Sequence, residues 1–129
     1  MKQFPRWLPL ALALAAAGSC SDHSGPVAGL LTVSLATPNP GGDGAILLNV
    51  TGPDALTSVT ASAGLRIFAQ PLATVTRVAV TGALTNGAIL TIGVPNVGKA
   101  AQYSATVQGL AASDFQLRTL AGYALTVSQ

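Results

Sequence analysis

From Leu30 onward, the apolar residues of this chain come in short runs with a period of two, and each run is cut before it could form three turns of helix. Leu31, Val33 and Leu35 alternate with Thr32 and Ser34; Ile46, Leu48 and Val50 share one face, with Leu47 and Asn49 on the other. Val59, Ala61 and Ala63 continue the alternation, with Leu65 and Ile67 extending it past a kink at Gly64. Val78 and Val80 follow. The segment Ile89–Val94 is apolar throughout and reads as a strand buried on both faces. Tyr103, Ala105 and Val107 alternate again, as do Phe115 and Leu117, and finally Tyr123, Leu125 and Val127. Between the runs lie Pro38–Gly44, Gly52-Pro53-Asp54, Pro71, Thr85-Asn86-Gly87 and Pro95–Gly98. There prolines remove donors and glycines admit positive φ. About eight short strands, spaced roughly 10–14 residues apart, predict an all-β domain, an antiparallel β-sandwich of jelly-roll or immunoglobulin-like type. Short helical turns fit only at Ala100–Ala101 and Leu110–Ser113.

The first 20 residues follow another logic. Lys2 and Arg6 precede an apolar run from Trp7 to Ala17, and small residues lead to Cys20, the one cysteine of the chain. The apolar run is about 11 residues long, against the ~20 that a membrane-crossing helix needs, so a retained transmembrane anchor is the weaker reading. The order of basic, apolar and small residues is that of an export signal. Ala17-Gly18-Ser19-Cys20 resembles the cleavage site of bacterial lipoproteins, although those usually carry Leu where Ala17 stands. The resemblance implies a signal peptide over 1–19, lipidation of Cys20 and a tether over 20–29, with the sandwich over 30–129. An unpaired thiol in an oxidising compartment is a liability unless modified, which agrees with that assignment. Cleavage by ordinary signal peptidase near Ala15-Ala16-Ala17 is the rival. Ser21 directly after the cysteine, in the sorting pattern it resembles, implies the outer membrane rather than the inner.

A second resemblance lies within the domain. Pro53-Asp54-Ala55-Leu56, the Val/Thr strand after it and Leu84-Thr-Asn-Gly-Ala-Ile-Leu-Thr-Ile-Gly-Val94 are similar to cohesin-type sandwich modules. No dockerin-binding position is matched, so this likeness implies a fold and no partner.

Charge excludes one class of function. Beyond residue 19 the basic side chains are Arg66, Arg77, Lys99 and Arg118, balanced by Asp22, Asp43, Asp54 and Asp114. Four scattered cations make no phosphate-neutralising stripe, which argues against a nucleic-acid partner. Catalysis is also poorly supplied. Glu is absent, and the single histidine, His23, lies in the tether, so the domain has neither a Ser-His-Asp nor a Cys-His arrangement. Lys99 lies in a loop-like stretch with no motif around it. Asp43, Asp54 and Asp114 sit beside Gly, Pro or Ser and read as turn residues rather than paired catalytic carboxylates. Asn39 and Asp43 are too few oxygens for calcium. Asn49-Val50-Thr51 matches a glycosylation sequon on an inferred strand, and Gly41–Gly44 lacks the Lys-Ser/Thr of a phosphate loop. The sequence thus predicts no enzyme, no cofactor and no metal.

Recognition is left to a few side chains. Arg66, Arg77 and Arg118 fall in strand-like segments, either as protective surface charges or as contacts to a partner. Of the aromatics, Phe68, Tyr103, Phe115 and Tyr123 belong to the domain, and the last three read as core. The expectation is a lipid-anchored envelope protein that binds another envelope or secreted protein, the alternative being a carbohydrate-binding or hydrolytic accessory. An exposed sheet face with arginines beside apolar residues would favour the first. A surface row of aromatics, or two carboxylates in one cleft, would favour the second.

Overall fold

A computed structural model describes residues 25–129, so Cys20 and His23 lie outside the described residues. Eight strands form: β1 (Gly29–Ala36), β2 (Asp43–Thr51), β3 (Ser58–Ala61), β4 (Arg66–Ala69), β5 (Val75–Leu84), β6 (Gly87–Val94), β7 (Ser104–Ala112) and β8 (Ala124–Ser128). They pair antiparallel into two four-stranded sheets, β3-β6-β1-β8 and β4-β5-β2-β7. The antiparallel sandwich read from the alternation is therefore the fold.

Its core is the inward half of each alternating run. Leu31, Val33 and Leu35 of β1 face Ile46, Leu48 and Val50 of β2 across the sandwich, joined by Val78 and Val80 of β5 and Leu90, Ile92 and Val94 of β6. Each is 3% exposed or less. Fully burying one such side chain contributes about 1.5–3 kcal/mol. The run Ile89–Val94 is buried on both faces in part, for two local reasons. A bulge between Val33 and Ser34 skips Ile89 in the register, so Ile89 and Leu90 both turn inward. Gly93, on the outward side, lies under Thr57 and Ser58, which occupy the space a Cβ would need.

Three local readings are corrected. The stretch 59–67 is two strands, not one. Gly64, at φ +83°, turns the chain so that β3 and β4 enter different sheets. Leu110–Ala112 continues β7 rather than starting a helical turn. Phe115 and Leu117 do not form a strand. Phe115 sits at φ +69°, its ring 88% exposed, and only Leu117 bridges back to Ala111. Asp114 Oδ1 accepts from the Gln116 amide at 3.1 Å, a local turn that breaks the alternation there.

The Asn86-Gly87 corner behaves unusually. Such a pair commonly closes a hairpin, yet β5 and β6 belong to different sheets. Asn86 Oδ1 accepts from the Thr37 amide at 2.7 Å, which ties this corner to the β1–β2 connection. Six of the seven connections pass from one sheet to the other; only β4–β5 is a hairpin.

A 3-10 segment, Val97–Gln102, closes one end, and Tyr103 after it is buried against Gly52. A Cβ at position 52 would run into the Tyr103 ring, so this glycine is dictated by close approach. Lys99, at this end, pairs with Asp54 at 3.6 Å on the surface.

Candidate docking face on the second sheet

The outward face of β4-β5-β2-β7 is built by register. Strand pairing sets Arg66, Thr81, Ala45 and Ala111 in one row, with Leu117 beyond Ala111. Two residues along, the next outward row is Phe68, Ala79, Leu47 and Gly109. The third is Arg77, Asn49 and Thr106, with Gln70 held at that level by its amide donating to the Arg77 carbonyl at 3.0 Å. Between these rows Ile67, Val80, Ile46 and Leu110, and then Val78, Leu48 and Val107, point toward the core, while Gln108, skipped in the register at a bulge of β7, and Ala69 at the end of β4 are exposed.

These rows give the face its relief. Phe68, 61% exposed, and Leu117, 86% exposed, stand at the two flanks. Between them Ala45, Ala79, Gly109 and Ala111 make a shallow trough with almost wholly apolar walls, from which Leu47 rises. A second hollow shares Leu47 and Ala79 with the first and extends to Phe68 and Arg77. Monomer surfaces usually carry isolated apolar side chains, so the continuity of this apolar stretch is what makes the face the candidate site. The opposite sheet differs. There pairing lines up Thr60, Thr91, Thr32 and Ser128 across all four strands, a mainly polar exterior on which Leu30 of β1 stands as a single exposed apolar side chain.

Arg66 and Arg77 both lie on the apolar face and are exposed. Among the described residues the ion pairs are Lys99–Asp54 and Arg118–Asp43, so neither of these arginines has a carboxylate partner. Arg118 does not join them, contrary to its expected place on a sheet face. It belongs to the β7–β8 connection and turns inward, its Nε 2.9 Å from Asp43 Oδ1. The N–H is not aimed at that oxygen, so the contact is an ion pair without a well-formed hydrogen bond.

Asp43 is likewise no turn residue. It opens β2 and is fully buried. Its carboxylate accepts from Thr37 Oγ1 at 2.6 Å and from the Tyr123 hydroxyl at 2.9 Å. Asn39 Nδ2 in turn donates to the Tyr123 oxygen at 2.9 Å, and an Arg118 terminal nitrogen donates to the Gly42 carbonyl at 3.3 Å. This network knits the β1–β2 and β7–β8 connections to β2. Buried charge survives only when paired and hydrogen-bonded, and every partner here serves that end. Asp54 is engaged with Lys99, and Asp114 caps its own turn. The three aspartates thus occupy three separate structural settings.

The aromatics divide unevenly. Tyr103 is core as expected, 4% exposed. Burial raises its hydroxyl pKa above the usual value of 10.0, and the Asp54 carboxylate adds to that. Tyr123 is half-buried with its hydroxyl on Asp43 rather than in water. Phe115, expected in the core, is exposed instead, near Gly41, Gly82 and Ala83 at the end of the sheet. The face itself had one sequence signal. Leu47 stands where an outward position of β2 calls for a polar residue, and Ala45 and Ala79 repeat the anomaly on either side. No family model, curated protein or solved structure matches this chain.

Proposed function

We propose that this chain is a non-catalytic, lipid-anchored protein of the bacterial envelope whose sandwich docks a protein through the outer face of β4-β5-β2-β7. The observation that carries the docking reading is the apolar relief from Phe68 to Leu117, flanked by Arg66 and Arg77, which have no carboxylate partner among the described residues. An apolar centre rimmed by arginine is the composition of a protein contact. Support for the anchor is the signal pattern ending at Cys20; the short stem to β1 then keeps the domain close to the bilayer. The accessory reading, carbohydrate-binding or hydrolytic, is less well supported. Phe68 and Phe115 are exposed but do not share a row, and the carboxylates do not share a cleft.

A photo-reactive side chain placed at position 68, and separately at position 32 on the hydroxyl-lined sheet, tests the docking face in living cells. Protein adducts from 68 and none from 32 are expected. Adducts from neither position, or to glycan alone, would overturn the reading. For the anchor, Cys20→Ala should abolish labelling by a fatty-acid analogue and release the protein from membranes.

A further inference from the structure

The docking reading leaves the occupant open, and the face itself narrows the choice. We propose that the occupant is a second copy of this chain, packed sheet to sheet about a two-fold axis that runs parallel to the strands between β5 and β2. The inference rests on the docking face above and adds its partner.

A two-fold contact sets one patch against itself, so the patch must be self-complementary. An axis along the strands exchanges β5 with β2 and β4 with β7 while each row keeps its level. In the central row this places Phe68 over Gly109 of the second copy, and Leu47 over Ala79 of the second copy. The largest side chains meet the smallest, twice each. The row beside it sets Arg66 over Ala111 and Thr81 over Ala45 of the second copy. On the other side Arg77 stands over Asn49, so the guanidinium meets no like charge. No arginine faces an arginine. The other in-plane axis, across the strands through the central row, fails this test. It sets Phe68 on Phe68 and Leu47 on Leu47 while Ala79 and Gly109 face their own copies across a gap. Packed sheets lie about 10 Å apart and need interdigitating side chains to fill that space, which only the first axis provides.

The size of the patch sets the strength. Four strands about 4.8 Å apart and some 20 Å of ladder give a footprint of roughly 400 Å2, below the ~800 Å2 per partner of a stable complex. Pairing is therefore weak in dilute solution and depends on the local concentration that a shared membrane supplies.

The test uses the full-length protein in its own membrane. Phe68→Cys and Gly109→Cys are introduced together, and a mild oxidant is applied before a non-reducing gel. Positions 68 and 109 lie on β4 and β7, three strand spacings or about 14 Å apart within one chain, too far for an internal disulfide. A Cβ at 109 meets nothing closer than Leu47 at 4.0 Å, so the substitution is accommodated. Covalent dimer from the double variant is expected, with monomer from each single variant and from Thr32→Cys. The pair Arg66→Cys/Ala111→Cys should behave in the same way. Monomer from both double variants, or dimer from Phe68→Cys alone, would overturn the proposal. If position 68 photo-crosslinks to a different protein while the double variants stay monomeric, self-pairing fails and the docking face stands. If nothing crosslinks, both fail.

Discussion

Removing the Asp43 carboxylate tests the network that knits the two long connections together. The fully buried carboxylate accepts from two hydroxyls at 2.6 and 2.9 Å and faces a guanidinium nitrogen at 2.9 Å. A hydrogen bond to a charged group contributes about 1.5–3 kcal/mol, and breaking a buried ion pair from one side costs about 3–5 kcal/mol. The Arg118 side chain is 32% exposed, so once its partner is gone it can turn to water and lessen the loss. Asp43→Ala should therefore lose about 3–5 kcal/mol, rather than the sum of its three contacts. In a domain of this size each kcal/mol lowers Tm by about 4–8 °C, so the fall should reach roughly 12–40 °C. Tyr123→Phe and Thr37→Val each remove one donor and should cost about 1–2 kcal/mol. Urea unfolding followed by circular dichroism measures all three. A loss under about 1 kcal/mol for Asp43→Ala would refute the claim that this carboxylate organises the end of the sandwich, as would a larger loss for Thr37→Val than for Asp43→Ala.

Other outcomes follow from the same structure. Leu47→Asp should leave the fold intact while Leu48→Asp, one residue on and fully buried, should prevent folding; soluble yield and circular dichroism distinguish them. Gly52→Ala should destabilise by about 1–3 kcal/mol because its methyl meets the Tyr103 ring, and Gly52→Ala combined with Tyr103→Leu should recover part of that loss in urea melts. The Tyr103 hydroxyl is held neutral in the folded state, with its pKa raised by burial and by Asp54. Its contribution is complete below the unfolded pKa of 10.0 and is lost as pH rises from there through the folded value, so Tm should fall above about pH 10 less steeply in Tyr103→Phe than in the parent.

The fold was legible because period-two burial is a local property. Leu31, Val33 and Leu35 betray their strand without reference to its neighbours, and so do Ile46, Leu48 and Val50. Strand partners were not legible, since nothing in Thr85-Asn86-Gly87 says that the chain leaves one sheet for the other. Asp43 illustrates the same gap. Its neighbours Gly42 and Gly44 announce a turn, while the groups that bury it, Arg118 and Tyr123, lie more than 70 residues away. Phe115 was misjudged because a single alternation with Leu117 is too short to outweigh the Asp114 turn beside it. The apolar face lay half in view. Leu47 on an outward position is visible from sequence, but its alignment with Phe68 and Gly109 requires the register of three ladders.

The sheet-to-sheet routing has a kinetic consequence. β1 is an interior strand whose neighbours are β6 and β8, and β2 waits for β5 and β7. As the chain emerges from Gly29 onward, it can close only the β4–β5 hairpin locally; every other ladder joins residues at least 24 positions apart, the nearest being Thr51 and Val75. Long loops must close before those ladders repay them, which places such topologies in the millisecond-to-second range. β1 gains its last neighbour only when residues 124–128 arrive. The second sheet can close once β7 is made, but the first gains its edge, and the sandwich its full set of ladders, only after the final strand.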